Sequence, residues 1–256
     1  MRILVAVCLL LLINTSYGQE LHFEDIPFSF YSTSRQQFVV ISGDQVYVSK
    51  GVGKPWEVST MKFGSGMTAQ QLKAHYFPMN TAVADYFVMG GCGMVWEWKG
   101  DSLFRIDHSF DHKNQYGSSP FVYHDTLFMT AGYGFFQTKN ITTYFDRGAG
   151  SWFLKHTKGE YPPDRCSSYH FQGQNEVYFW GGQVRNTLGD DTIRTLWSLD
   201  LSTGIWKDQG RLNPELQLPY VRGAYFNTLS ENWVHLGGRL LQFFPDQNRV
   251  DEYQSD

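Results

Sequence analysis

The chain has 256 residues, of which 42% are hydrophobic, 17% aromatic and only 18% charged, with a formal net charge of −4. That balance excludes disorder as the general state and supplies no basic footprint for nucleic acid. The 25 glycines against 9 prolines suit a chain of many tight turns.

At the N-terminus, Arg2 precedes an unbroken apolar run over residues 3–13, and a polar, small-residue stretch follows over 14–19. These are the three parts of a secretory signal peptide, with cleavage expected close to Gly18 and the mature start at Gln19 or Glu20. Residues 1–19 are therefore read as the signal and 20–256 as one exported domain, secreted or periplasmic. The apolar run falls short of the roughly 20 residues needed to cross a bilayer, and no later run approaches that length, so no membrane span is expected. Cys8 leaves with the signal. Cys92 and Cys166 either form a disulfide or remain as two buried thiols, and no metal-like cysteine spacing is present.

Downstream, short alternating runs rich in Val, Ile, Tyr, Phe and Trp predict strands over 37–41, 45–49, 86–89, 102–106, 121–123, 126–130 and 142–145. Further runs predict strands over 176–180, 195–199, 233–236 and 240–244, and one short helix is predicted over 68–74. Periods of two with almost nothing of helical period specify an all-β chain built from hairpins.

The runs repeat. Tyr86-Phe87-Val88-Met89-Gly90-Gly91 recurs as Leu127-Phe128-Met129-Thr130-Ala131-Gly132, as Val177-Tyr178-Phe179-Trp180-Gly181-Gly182 and as Trp233-Val234-His235-Leu236-Gly237-Gly238. A second landmark keeps phase with it: Asp146 is followed six residues later by Trp152, and Asp200 by Trp206. The segment 103–107 reads as the corresponding strand and Asp of an earlier copy, and 46–51 with Trp56 as an eroded first copy.

An apolar strand ending in Gly-Gly, an aromatic strand with an Asp turn, and then a Trp: this pattern resembles the kelch family of β-propellers over roughly residues 35–256. The resemblance implies a kelch-type propeller of four-stranded antiparallel blades. Five repeats in about 237 mature residues, roughly 47 each, make five blades the expected number. The last copy is short, so a strand over 26–31 is expected to complete its sheet and close the ring.

The resemblance also directs attention to one mouth of the central channel, where Arg165 and Arg222 match a position that contacts ligand in kelch propellers. Each follows a proline, and each lies a similar distance ahead of a Gly-Gly pair. A guanidinium offers five donors in a rigid fork, suited to carboxylates or sugar hydroxyls, but it equally suits backbone carbonyls of a blade. Galactose oxidase shares the repeat, yet the Tyr–Cys crosslink and paired histidines of its copper site have no counterpart around Cys92 or Cys166. No cofactor and no metal are expected. Asp107-His108 and Asp111-His112 read as a solvated loop, Asp190-Asp191 likewise, and Asn140-Ile141-Thr142 is the one glycosylation sequon of the mature chain. The expected function is a binding module for a protein or glycan, without catalytic chemistry. The alternative is a carbohydrate enzyme resembling the periplasmic sialic-acid mutarotase, in which a carboxylate such as Glu160 faces Arg165 or Arg222.

Overall fold

The computed structural model describes residue 23 and residues 28–51, 54–108, 114–186, 189–212, 233–236 and 239–254. Within them the chain is all-β, laid down as five successive larger sheets. The first contains β1 (Phe28–Ser32), β2 (Gln37–Ser42), β3 (Gln45–Ser49) and β4 (Glu57–Thr60), hydrogen-bonded in that order. A short helix, α1 (Ala69–His75), follows, and its N-cap Thr68 accepts a hydrogen bond from the Gln71 amide. The second sheet contains β5 (Tyr76–Asn80), β6 (Asp85–Met89), β7 (Val95–Lys99) and β8 (Ser102–Arg105).

The third sheet begins with β9 (Ser119–Tyr123) and β10 (Thr126–Thr130). A small hairpin of β11 (Tyr133–Gly134) and β12 (Gln137–Thr138) then precedes its outer strands β13 (Thr142–Asp146) and β14 (Ser151–Lys155). The fourth repeats this plan. The two-residue β15 (Lys158–Gly159) leads to β16 (Tyr169–Gln172) and β17 (Glu176–Trp180), then a hairpin of β18 (Gln183–Asn186) and β19 (Gly189–Thr192), then β20 (Thr195–Asp200) and β21 (Ile205–Arg211). The fifth has β22 (Trp233–Leu236), β23 (Arg239–Phe244) and β24 (Arg249–Gln254) among the described residues.

Each junction between consecutive sheets is filled by its own apolar cluster. Phe28, Phe30 and Ile41 of the first sheet meet Phe87, Trp96 and Trp98 of the second. Tyr86, Val88 and Val95 of the second meet Leu127, Met129 and Phe145 of the third. Phe121 of the third meets Phe179, Trp197 and Trp206 of the fourth, and Phe171, Tyr178 and Leu196 of the fourth meet Leu241, Phe243 and Val250 of the fifth. Alternate residues of one strand therefore serve two different junctions, as Trp96 and Val95 of β7 show. Along the edge formed by the first strands, β1 lies beside β5, β5 beside β9, and β9 beside β16.

At the opposite edge, the fourth strands of the second, third and fourth sheets are stitched by the chain leaving the sheet before. After β4, Lys62 donates its amide to Asp101 (2.7 Å) and accepts from Leu103 of β8 (2.9 Å). After β8, the His108 amide donates to Gly150 at the start of β14 (2.8 Å). After β14, β15 pairs parallel with β21, Lys158 opposite Ile205 and Gly159 opposite Trp206.

Asp190-Asp191, expected in a solvated loop, stand instead in β19 opposite Arg185 and Val184, and three expectations about the larger sheets also need correction. The strand expected over 26–31 to complete the last sheet is β1, which instead pairs antiparallel with β2 from Phe28↔Ile41 to Ser32↔Gln37. A short turn joins it to β2, and burial of Phe28 and Phe30 against Phe87 holds it at the first junction. The segment 102–106 is the fourth strand of its sheet rather than the third. The third place belongs to β7, which turns tightly into β8 at Gly100 (φ +58) with Lys99 opposite Ser102. In the first sheet, 46–51 is likewise the third strand, while β2, ending at Ser42-Gly43, stands where the other copies have their Gly-Gly strand.

Candidate functional site

The antiparallel order places the loops after each second strand, together with the segments entering each first strand, at one end of the sheets. Here the Gly-Gly pairs explain themselves. A Cβ on Gly91 (φ +88) would lie 2.5 Å from the Tyr116 backbone, and one on Gly182 (φ +98) would lie 2.8 Å from the Cys166 carbonyl. Only a bare backbone can pass so close to the strand-entry segment.

Arg165 sits in one of these entry segments and is 1% exposed. Its amide donates to the Lys139 carbonyl and its own carbonyl accepts from Gly132, so the backbone here joins the third and fourth sheets. The side chain turns inward: Nε donates to the Pro163 carbonyl (3.2 Å), Nη1 to those of Gly181 (3.2 Å) and Thr195 (3.4 Å), and Nη2 to Thr195 Oγ1 (3.4 Å). Burial pulls its pKa down to about 10. The guanidinium thus clamps the end of β17 to the start of β20 within its own sheet. Arg222, and with it any pairing of the two arginines, lies outside the described residues. Glu160 is exposed and forms no ion pair with Arg165 among the described residues. Cys92 and Cys166 are both buried and not joined in a disulfide, and Cys92 Sγ lies 3.2 Å from the Tyr116 hydroxyl to which it donates. His112 and Asp111 also fall outside the described residues. Asp107 is buried, accepting from the Val95 amide and from Arg105, and among the described residues no three His, Cys, Asp or Glu side chains converge.

The opposite end carries the turns between first and second strands and between third and fourth. Between the second and third sheets these turns frame a cleft of about 260 Å³. Tyr86, Leu127 and Phe145 form a buried floor, Tyr144 and Thr126 are partly buried, and Asp125, Asp146 and Arg147 stand exposed at the rim. Asp125 belongs to a tight turn in which it and His124 both take positive φ (58° and 45°). Its Oδ1 accepts from the Ala82 amide of the second sheet (2.7 Å), which ties the two walls together. Asp146 Oδ1 accepts from the Ala149 amide (2.9 Å) and closes the β13–β14 turn. Arg147 Nη2 donates to Glu97 Oε1 at 2.7 Å, and the other oxygen of the buried Glu97 is 3.2 Å from Lys99 Nζ. Tyr86 is buried on β6, and desolvation raises its pKa. None of the described hydrogen bonds uses its hydroxyl, the second oxygen of Asp125 or of Asp146, or Nε and Nη1 of Arg147. The cleft therefore presents oriented acceptors and donors side by side over an aromatic floor.

The sequence marks Asp146 as a turn landmark and Tyr86 as a repeat position, and it assigns no site role to these two, to Asp125 or to Arg147. The available signal was slight: the two-residue turn His124-Asp125, and an Arg following the Asp in one copy where Leu201 follows it in the other. Comparison of the chain with protein-family models and with curated proteins gives no match.

Proposed function

We propose that this chain is an exported kelch-like β-propeller, its five sheets the blades of a closed ring, acting as a binding module for a glycan or protein. The observation that supports it is the serial packing: each sheet is held by a private aromatic junction to the next, with first strands side by side. Such a scaffold leaves its turns free to carry recognition. The cleft between the second and third sheets adds a concave, aromatic-floored surface with uncommitted polar atoms, the usual composition of a ligand site. Binding of the 20–256 chain to a printed glycan array and to an extracellular protein panel tests the reading. A ligand captured reproducibly supports it, and failure on both panels removes it.

The enzyme reading keeps one observation in its favour, the carboxylate of Glu97 against the guanidinium of Arg147. Both Glu97 oxygens are engaged by cations, however, and its side chain is 3% exposed. Anomer exchange of N-acetylneuraminate followed by proton NMR separates the two: acceleration abolished by Glu97→Gln supports the enzyme.

A further inference from the structure

We propose that the cleft between the second and third sheets is a subsite for one neutral pyranose unit of a glycan. The inference rests on the binding-module reading and adds the place and chemical class of the ligand. Size comes first. At about 260 Å³ the cleft lies below the roughly 300–1,000 Å³ of sites for larger drug-sized ligands, which leaves room for one ring rather than a chain. Arg147 is 54% exposed at the rim, so a linked residue can leave toward solvent.

Charge then narrows the class. Asp125 and Asp146 face the same space and repel a carboxylate, sulfate or phosphate, whereas Arg147 beside them repels an ammonium group. A neutral ligand escapes both penalties. Hydrogen bonding narrows it further, because a sugar hydroxyl donates and accepts at once. Donation goes to the open oxygens of Asp125 and Asp146, and acceptance comes from Nε and Nη1 of Arg147 and from the Tyr86 hydroxyl. Both carboxylates are already oriented, since each spends its other oxygen on a backbone amide, at Ala82 and Ala149. Arg147 is oriented by Glu97. The Tyr86 and Tyr144 rings with Leu127 supply an apolar surface for the C–H face of the ring.

The test is titration of the 20–256 chain, followed by calorimetry and saturation-transfer NMR, with methyl glycosides of glucose, mannose and galactose. D-glucuronate and ethanolamine serve as charged comparators. At least one neutral glycoside is expected to bind, with both comparators at least tenfold weaker. Asp125→Asn with Asp146→Asn keeps each Oδ1 on its amide, and Tyr86→Phe keeps the ring. Each variant is expected to lose at least fivefold in affinity while melting like the parent, and Lys207→Ala, on β21 of the fourth sheet and outside the cleft lining, is expected to bind normally. No binding of any neutral glycoside, equal binding of a charged comparator, or unchanged affinity in the cleft variants would overturn the proposal. A glycan that binds parent and cleft variants alike sinks the cleft and leaves the module reading standing, whereas failure on the array and protein panels removes the module as well.

Discussion

At the scale of single residues, the Asp and Trp that mark the repeats have separate jobs. Asp200 Oδ1 accepts from the Ser202 hydroxyl (2.6 Å), the Thr203 amide (3.0 Å) and the Ser202 amide (2.9 Å), bonds that hold its carboxyl down at about 2 and fix the β20–β21 turn. Six residues on, Trp206 is 3% exposed between the third and fourth sheets, its Nε1 donating to Thr157 Oγ1. Trp206→Ala is expected to cost about 3–5 kcal/mol in urea unfolding, through lost area and a cavity. Trp152, partly buried and held by its Nε1 to the Gly93 carbonyl, is expected to cost less on the same change. His170 gives a pH prediction. Burial against the Phe179 side of its sheet pulls its pKa from the ordinary 6.5 to about 4. The unfolded chain thus binds the extra proton first, so this group removes stability as pH falls from about 6.5 toward 4, by at most roughly 3 kcal/mol. A urea series across that range is expected to show a shallower acid loss for His170→Gln than for the parent.

At the scale of elements, the strands marked twice over in the sequence, by an apolar run and by the glycine that ends it, are β6, β10, β17 and β22, and alternation alone marks others such as β3, β13 and β20. The third strand of the second sheet, β7, escaped because both of its faces are buried. Trp96 and Trp98 turn to the first sheet, Val95 to the third, and Glu97 is buried under two cations, so no solvent face shows in its pattern. First strands such as β5 and β16, and outer strands such as β4 and β24, are short and interrupted by polar or turn-forming residues, and periodicity alone passed over them. The cleft was less legible still, since it is assembled from turns of two sheets whose adjacency no local pattern encodes. Gly182 is the sharpest test of an element's end. Gly182→Ala places a Cβ 2.8 Å from the Cys166 carbonyl at φ +98. With the left-handed backbone alone worth roughly 1–2 kcal/mol, a total loss above about 2 kcal/mol is expected in thermal melts, and a parent-like melt would show that the entry segment yields.

For the whole molecule, the apolar clusters of the described residues lie at the junctions between consecutive sheets. Phe243 illustrates this: 1% exposed on the fifth sheet, its ring lies 4.5 Å from that of Phe171 and 5.0 Å from that of Tyr178 on the fourth. Phe243→Ala is expected to cost about 3–5 kcal/mol and to lower the unfolding midpoint seen by fluorescence and by circular dichroism equally, since a sheet loses its neighbour when a junction fails. The proposed closure of the five sheets into a ring has a direct readout. A compact chain of this length has a radius of gyration of about 18 Å. Small-angle scattering giving that value supports closure, and a markedly larger one points to an open row of sheets.

The stitching of the outer edges runs in one direction only. Lys62 precedes β8, His108 precedes β14, and β15 precedes β21, so these three strands find their cover in chain that lies before them. During synthesis from the N-terminus, that cover has already left the ribosome when the strand needing it emerges. The exposed ladder of a freshly made sheet then has an intramolecular partner at hand, in place of a neighbouring nascent chain. Among the described residues the first sheet is the earliest in the chain, and there β4 is short, exposed along all of its residues and begun by Glu57, the kind of edge that discourages pairing on its own account.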